Sequence, residues 1–240
     1  MTLSFPSLRL PPIAFAHRGA RAHARENTLE AFVLARRLGA TGIESDVWCT
    51  ADGIAVLDHD GVVGSRLRRR PISELPRAAL PSHIPELADL YTECGTDFEL
   101  SLDVKDANAA AATVAVTRDA GGDASERLWL CHHNWHQLEE WRTQFPDVRL
   151  VDSTRLRYMR NGPERRAAQL SEAGIDAVNL HESDWTGGLT TLFHRFDLLT
   201  FGWDAQFDRV LDNLLSMGID GVYSDHVDRM MEAVARLEAR

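Results

Sequence analysis

The 240-residue sequence is poor in cysteine and in long apolar runs. Its three cysteines, Cys49, Cys94 and Cys131, are odd in number and lack metal-ligand spacing, so a disulfide framework is not expected. No apolar run approaches the roughly 18 residues that a membrane-spanning helix needs. The first twelve residues lack a charged start followed by a long apolar core, so we recognise no secretory signal. These absences predict a cytoplasmic protein without a transmembrane segment.

Lysine is almost absent as well, because Lys105 is the single lysine among the 26 Lys and Arg residues. One retained lysine suggests a position that needs a compact ammonium, although chance survival at a neutral position is the favoured explanation until the motif around Lys105 is considered. The formal net charge of −10 argues against a general nucleic-acid binder. A hydrophobic content of 44% over this length is enough to bury a sizeable core.

Apolar strand-like and helix-like segments alternate along the chain. Strands are predicted near 13–17, 42–47, 97–104, 127–132, 148–152, 176–180, 197–202 and 220–224. Helices are predicted near 27–38, 107–120, 135–145, 163–173, 206–217 and 226–238, with Asn27 or Glu26 as the cap of the first. Eight strands alternating with helices predict a single-domain (β/α)8 TIM barrel over residues 1–240. The main alternative, an open doubly wound sheet, is weakened because no G-x-G-x-x-G follows a strand.

Residues 61–83 interrupt this alternation after the second barrel strand. Their proline and arginine content predicts a short loop insertion. A run of arginines, Arg66, Arg68, Arg69 and Arg70, could attract an anionic substrate, but a solvated basic loop is the favoured interpretation.

Polar groups cluster at the ends of the first strands. Glu44 and Asp46 are two residues apart and therefore point to the same side of a strand, with Trp48 beyond them. Two carboxylates so close repel unless a cation lies between them or one takes up a proton, and Mg²⁺ and Ca²⁺ bind carboxylate oxygens. With His17 nearby, this pair predicts a metal-assisted hydrolytic site. A surface carboxylate pair is the alternative.

The strand near 97–104 supplies a further acidic residue. Alternation puts Glu99, Ser101, Asp103 and Lys105 on one face. Barrel enzymes carry their chemistry at the carboxyl ends of the strands, so Glu99 is predicted to lie deeper and Asp103 to be the third metal ligand.

Several ordered motifs resemble those of the glycerophosphodiester phosphodiesterases. They are H-R-G from residue 17, E-N-T from 26, G-I-E-S-D-V from 42, T-A-D-G from 50 and H-D from 59. Weaker similarity continues in L-D-V-K, in F-G-W-D and in G-I-D-G-V-Y-S-D, so the resemblance covers nearly the whole chain. The sequence differs from the family pattern at Asp103, where the family usually has Glu, and its insertion lacks an Arg-Thr-Thr element.

The resemblance implies a TIM barrel that hydrolyses glycerophosphodiesters to glycerol 3-phosphate and an alcohol. One divalent cation, Mg²⁺ or Ca²⁺, would be held by the three carboxylates, and two histidines would act as acid and base. The implied site consists of His17 and His59 as catalytic residues, Arg18, Lys105 and Trp203 as phosphate or substrate contacts, and Glu44, Asp46 and Asp103 as metal ligands.

Several points stay open. The sequence does not assign the alcohol, the metal, the oligomeric state or the separate tasks of the two histidines. Cleavage of lipids, in the manner of a lysophospholipase D or sphingomyelinase D, would require an apolar rim near Trp48, Trp135, Trp185 or Trp203. A catalytically silent barrel that binds metal or phosphate is a third hypothesis, which the two histidines disfavour.

Overall fold

The structure of the chain is a computed structural model that describes residues 5–65, 68–106 and 108–239. The strands of this part are β1 (Ile13–Ala16), β2 (Gly42–Cys49), β3 (Ala55–Leu57), β4 (Val62–Val63), β5 (Arg70–Pro71), β6 (Glu99–Val104), β7 (Leu128–His132), β8 (Arg149–Ser153), β9 (Ala177–His181), β10 (Leu199–Trp203) and β11 (Gly221–Ser224). The α-helices are α1 (Leu29–Arg37), α2 (Leu87–Cys94), α3 (Ala109–Ala120), α4 (Trp135–Gln144), α5 (Pro163–Glu172), α6 (Gly187–His194), α7 (Asp208–Ser216) and α8 (Val227–Glu238).

Eight parallel strands close into a barrel. Strands β6, β7, β8, β9, β10 and β11 pair in that order, and β2 pairs with β6. Strand β1 pairs with both β2 and β11, which are the two ends of this series. Ile13 of β1 lies opposite Gly221 of β11, while Phe15 lies opposite Gly42 of β2. A sheet whose first strand pairs with its last has no open edge among these strands. The predicted (β/α)8 TIM barrel is therefore confirmed, and the open doubly wound sheet is excluded.

Alternation along the strands separates an inner core from an outer one. Phe15, Trp129, Phe201 and Tyr223 fill the barrel interior, where the rings of Phe15 and Tyr223 stack at 4.6 Å. The opposite faces of the strands pack with the helices in a larger apolar layer. Each large side chain buried in this way contributes about 1.5–3 kcal/mol relative to exposure.

Two of the eight α-helices, α2 and α6, were not predicted. Helix α2 is only eight residues long, and Glu86 begins it with a capping box that includes Asp89. Helix α6 opens with Gly187 and Gly188, which are poor helix formers. Thr186 nevertheless caps it by accepting a hydrogen bond from the Leu189 amide. Burial of one apolar face against the barrel overrides the weak local signal in both helices.

The predicted cap of α1 was wrong. Thr28, not Glu26 or Asn27, caps the helix through its hydroxyl, which accepts from the Ala31 amide. Asn27 has a positive φ of 53°, and its side-chain oxygen accepts a hydrogen bond from the Ser45 hydroxyl at 2.8 Å. The Asn27 side chain therefore links the β1–α1 loop to β2 by a hydrogen bond.

The insertion at 61–83 is more ordered than the predicted loop. Strand β3 pairs antiparallel with the end of β2, and β4 and β5 form a separate two-stranded sheet. A small apolar cluster lies under this region and consists of Val56, Ile72, Leu75, Leu80 and Ile84. Arg66 of the basic run lies outside the described residues, and Arg70 is exposed.

Candidate active site

A cavity of about 660 Å³ opens at the carboxyl ends of the barrel strands. Its lining includes every residue that the sequence predicts for the site: His17, Arg18, Glu44, Asp46, His59, Asp103, Lys105 and Trp203. Side chains from β2, β6 and β10 and from the loops that follow β1, β3 and β6 meet there. Residues that are distant in sequence therefore share one cleft, in the position where barrel enzymes carry their chemistry.

The H-R-G motif forms a tight turn after β1. Arg18 and Gly19 both have positive φ angles, of 51° and 78°. A side chain on Gly19 would lie 2.8 Å from the backbone carbon of Ala31, so glycine is required by space as well as by conformation. The turn directs the Arg18 amide at the Glu44 carboxylate, which accepts its hydrogen bond at 2.8 Å.

His17 is held between two carboxylates. Its Nδ1 lies 2.6 Å from Oδ1 of Asp225, and its Nε2 lies 3.8 Å from Oε2 of Glu44. Burial lowers the pKa of His17, but the charges of Glu44 and Asp225 outweigh it, so the pKa is raised above its ordinary value. Nδ1 is engaged by Asp225, which leaves Nε2 on the side of Glu44 for a bound molecule.

The three predicted metal ligands lie on neighbouring strands. Asp46 of β2 is opposite Asp103 of β6, and Glu44 is opposite Ser101. Burial raises the pKa of Glu44 to about 7, and the charges of Asp46 and Asp103 act in the same direction. Oδ2 of Asp46 is buried and has no hydrogen-bond partner within the described residues. Buried carboxylate oxygens with this mutual repulsion are suited to a divalent cation.

Lys105 already neutralises two of these carboxylates. Its Nζ lies 3.1 Å from Oδ1 of Asp46 and 2.5 Å from Oδ2 of Asp103. Burial lowers the pKa of Lys105, but the charges of Asp103 and Asp46 outweigh this effect and raise the pKa above its ordinary value. The side chain is therefore a charged ammonium. The described carboxylates Glu44, Asp46 and Asp103 do not bring three oxygens within 4.8 Å of one another. Direct binding of one ion by all three therefore requires side-chain adjustment.

Arg18 extends the positive side of the cavity. Its guanidinium lies 3.2 Å from Oε2 of Glu26 and 3.6 Å, through Nε, from Oδ2 of Asp46. Nε is buried and makes no hydrogen bond within the part of the chain that the structure describes. With Lys105, the guanidinium gives the cavity two fixed cations that can contact an anionic group.

His59 is carried by the turn that follows β3. Its Nδ1 lies 2.9 Å from Oδ1 of Asp60, and 40% of its side chain is exposed. Trp48 fixes this turn, because its indole N–H donates to the Asp58 carbonyl at 2.8 Å. A Cβ on Gly61, where φ is 66°, would lie 2.3 Å from the Trp48 ring. The turn is therefore packed directly on the indole.

Trp48 does not reach the cavity, although alternation puts it on the same side of β2 as Glu44 and Asp46. Its ring packs against the apolar cluster of the insertion and does not line the cavity. Strand β2 continues past the barrel, where pairing with β3 turns this residue toward the insertion.

Among the four tryptophans considered for an apolar rim, only Trp203 lines the cavity. Its ring meets His181 edge to face at 4.4 Å, and the Arg155 guanidinium lies 5.6 Å from the ring centre. Trp185 is buried in the outer core, and Trp135 contacts Arg166. The apolar rim required for lipid cleavage is thus not formed by these residues.

Glu99 lies away from the cavity, at the opposite end of the barrel, as its depth in β6 predicted. Its carboxylate pairs with Arg9 at 2.8 Å and accepts a hydrogen bond from the Trp129 indole at 2.7 Å. A structural role is therefore assigned to it.

Asp225 is the main site residue that sequence reasoning missed. It follows β11 and ends the motif G-I-D-G-V-Y-S-D, so a signal for it was present. Burial raises its pKa, but the hydrogen bond and charge of His17 outweigh this, and the pKa is lowered. Other lining residues that were not predicted include Arg21, Arg155, Tyr158, Asp204 and Gln206.

A search of residues 5–65, 68–106 and 108–239 finds no helix with the length and apolar character needed to cross a membrane.

Known proteins that are similar in sequence include glycerophosphodiester phosphodiesterases. A protein of Mycobacterium tuberculosis named "Probable glycerophosphodiester phosphodiesterase 2" is 28% identical over 245 residues, which cover 92% of this chain and 90% of that protein. Human glycerophosphodiester phosphodiesterase 1 is 54% identical over 50 residues, or 21% of this chain and 15% of that protein.

Solved structures share the fold. The crystal structure of glycerophosphodiester phosphodiesterase from Thermotoga maritima has a TM-score of 0.79 and 21% identity, and covers 92% of this chain and 97% of its own. A phosphodiesterase from Oleispira antarctica, in complex with the product sn-glycerol-3-phosphate, has a TM-score of 0.81 and 21% identity over 93% of this chain and 97% of that one. The sequence model of the glycerophosphoryl diester phosphodiesterase family matches residues 17–229. With this match over most of its length, the chain belongs to the glycerophosphoryl diester phosphodiesterase family.

Proposed function

We propose that the chain hydrolyses glycerophosphodiesters to glycerol 3-phosphate and an alcohol, with the help of one divalent cation, Mg²⁺ or Ca²⁺. The observation that carries the proposal is the cavity itself. At one end of the barrel it gathers His17 and His59, the cations of Arg18 and Lys105, and the carboxylates of Glu44, Asp46 and Asp103. A phosphodiester needs charge neutralisation, an activated nucleophile and a protonated leaving group, and these groups can supply all three.

Arg18 and Lys105 would bind the nonbridging oxygens of the phosphodiester. The guanidinium can make paired contacts and the ammonium a single compact one. Both are anchored by carboxylates, so they are held in position before the substrate arrives. Trp203 would contact the organic part of the substrate at the cavity wall.

His17 and His59 would move the protons. Each has its Nδ1 beside a carboxylate, Asp225 for His17 and Asp60 for His59. This common arrangement leaves Nε2 of each ring to accept a proton from the nucleophile or give one to the leaving oxygen. The raised pKa of His17 favours the protonated form of its ring, which suits a proton donor.

Glu44, Asp46 and Asp103 would hold the cation. Their donor chemistry fits Mg²⁺ or Ca²⁺, and Oδ2 of Asp46 makes no hydrogen bond within the described residues. A bound cation would neutralise phosphoryl charge and lower the pKa of a coordinated hydroxyl. The shorter Asp103, in place of the family's Glu, would bring the ion nearer to β6 or bind it through water.

We further propose a cytoplasmic location and a small-molecule substrate. Cys49, Cys94 and Cys131 are all free thiols, which suits a reducing compartment. The net charge of −10 disfavours a nucleic-acid substrate.

The test is release of glycerol 3-phosphate from glycerophosphocholine and glycerophosphoethanolamine. Purified protein is assayed with Mg²⁺, with Ca²⁺ and after chelation, together with His17→Ala and His59→Ala. His136→Ala is the matched control, because this histidine is exposed on α4, pairs with Glu139 and lies outside the cavity lining. We expect metal-dependent release that either site substitution lowers at least about 100-fold and that the control leaves unchanged.

No release from either diester by folded protein that binds the cation would contradict the substrate assignment. Release that survives chelation would contradict the metal requirement alone. Release that survives both histidine substitutions would contradict the two-histidine mechanism.

A further inference from the structure

We propose a second metal site on this protein, formed by His23, His226 and Asp228, that takes a borderline transition ion such as Zn²⁺. These residues lie outside the cavity lining. His23 comes from the β1–α1 loop, whereas the other two stand at the start of α8, more than 200 residues later. The site would therefore join two distant segments of the chain.

The geometry of the three side chains carries the inference. One ligand atom of each lies within 4.8 Å of the ligand atoms of the other two. Nε2 of His23 is already 3.2 Å from Oδ1 of Asp228, and the two imidazole rings are 6.3 Å apart, edge to face. The donor spacing in a tetrahedral zinc site is about 3.3 Å for bonds of about 2.0 Å. Rotation of exposed or half-buried side chains is enough to close the remaining gap.

The donors predict which ion binds. Two imidazole nitrogens and one carboxylate suit Zn²⁺, Co²⁺ or Ni²⁺, and leave a coordination position for water. Mg²⁺ and Ca²⁺ prefer oxygen ligands and would favour Glu44, Asp46 and Asp103 instead. The same face of the barrel would then carry two sites with different metal preferences.

The surroundings leave this group accessible to a cation. Arg21, the nearby cation of the loop, is already paired with Glu26 at 2.5 Å and with Asp225 at 3.3 Å. The amide of Ala22 donates to the Asp225 carbonyl at 3.1 Å, so the loop and the start of α8 are already in contact. Asp228 lies in the first turn of α8, where its negative charge also offsets the positive helix end.

The site also lies beside the proposed chemistry. His226 follows Asp225, whose carboxylate contacts His17. An ion at His226 would fix the segment that orients this imidazole and the loop that carries Arg18 and Glu26.

The experiment measures Zn²⁺ binding directly, by competition with a chromogenic chelator, in an Asp46→Asn background with excess Mg²⁺. This background weakens the carboxylate site, so the result does not depend on the proposed hydrolysis. We expect one equivalent of Zn²⁺ to bind and to raise the melting temperature. His23→Ala and His226→Ala should each weaken binding at least tenfold, and His136→Ala should not change it.

Cobalt provides a second readout. Co²⁺ in place of Zn²⁺ should give visible absorption bands that disappear in His23→Ala. Zn²⁺ binding that is unchanged in both histidine variants would overturn the proposal, as would the absence of binding by folded protein at millimolar Zn²⁺. Absence of hydrolysis in the protein that retains Asp46, with Zn²⁺ binding at His23 and His226 intact, would count against the proposed function and leave this site standing.

Discussion

At the scale of single residues, the site depends on ion pairs that prepare each group before a substrate binds. His17 lies between Asp225 and Glu44, and Lys105 lies between Asp46 and Asp103. Such charges are anchored in a half-buried cavity, where they interact more strongly than at a free surface. Removal of one partner should therefore change the chemistry of the other.

The first residue-scale prediction concerns Asp225→Asn. Asparagine keeps the shape but removes the charge that holds the His17 ring and raises its pKa. We expect kcat/KM to fall by about 10- to 100-fold. In the plot of kcat/KM against pH, the limb that reflects titration of His17 should move to lower pH, because Asp225 no longer raises the pKa of this ring. A pH profile of kcat/KM measures both effects.

Asp212→Asn provides the control, because this aspartate forms an exposed pair with Arg236 on the outer helices. It should leave both rate and pH profile unchanged. A rate loss in Asp225→Asn without a shift of either limb would assign Asp225 a structural role only.

The second prediction concerns Lys105→Gln. Without the ammonium, Asp46 and Asp103 repel each other in a partly buried setting, which should cost about 1–3 kcal/mol of stability in chelator. Mg²⁺ should restore more stability to this variant than to the wild type, because binding to the folded state is stabilising. Thermal melts with and without Mg²⁺ test this. Equal Mg²⁺ effects in the two proteins would argue against a cation at these carboxylates.

At the scale of elements, the extension of β2 and the insertion together determine where His59 lies. Strand β2 runs two residues beyond Val47 and pairs with β3, and the turn after β3 bears the histidine. The small apolar cluster around Ile72 and Leu75 supports this arrangement from below. The insertion therefore has a positioning role even though Arg68, Arg69 and Arg70 are exposed.

The element-scale prediction concerns Trp48→Phe. Phenylalanine removes the hydrogen bond to the Asp58 carbonyl and part of the surface under Gly61. We expect about 1–2 kcal/mol lower stability and a several-fold lower kcat with a nearly unchanged KM, since His59 would be held less firmly.

Trp135→Phe is the matched comparison, because that indole lies on α4 outside the cavity lining. It should leave kcat unchanged. An equal loss of kcat in both variants would show that general destabilisation, and not the His59 turn, is responsible.

At the scale of the whole molecule, one buried aspartate closes the end of the barrel opposite the cavity. Asp220 accepts six hydrogen bonds, from Ser7, Leu8, Arg9, His194 and Thr200, the last donating through both its amide and its hydroxyl. These groups join the segment before β1 to α6, β10 and the start of β11. Burial raises the pKa of Asp220, but the hydrogen bonds from His194 and Ser7 outweigh it, and the pKa is lowered.

The whole-molecule prediction follows from that lowered pKa. A carboxyl with a depressed folded-state pKa stabilises the protein above its unfolded pKa of about 3.9, and the stabilisation is lost as the pH falls through the folded value. Asp220→Asn should therefore reduce the unfolding free energy by about 2–4 kcal/mol at neutral pH. The difference from wild type should shrink below about pH 4.

Urea unfolding at several pH values measures this difference. A difference that is constant from neutral pH to pH 3 would contradict the role of the charge. Activity per folded molecule should stay near that of the wild type, because Asp220 lies outside the cavity lining.

The amino-acid sequence by itself determined the barrel, its eight main strands and eight of the residues that line the cavity. Those features depend on local rules: apolar strands at regular spacing, side-chain alternation that puts Glu44 and Asp46 on one face, and strand ends that carry the polar residues. Six of the eight helices also follow from periodicity, whereas α2 and α6 are short and depend on packing.

Only the tertiary structure decided the pairings across the chain. Asp225 meets His17, and His226 and Asp228 meet His23, because barrel closure puts β11 beside β1. The same holds for Trp48, which alternation directs toward the cavity but which the β2–β3 pairing turns toward the insertion. Such contacts join residues that are distant in sequence, and no local pattern of apolar or charged residues encodes which distant partner will lie within a few ångströms.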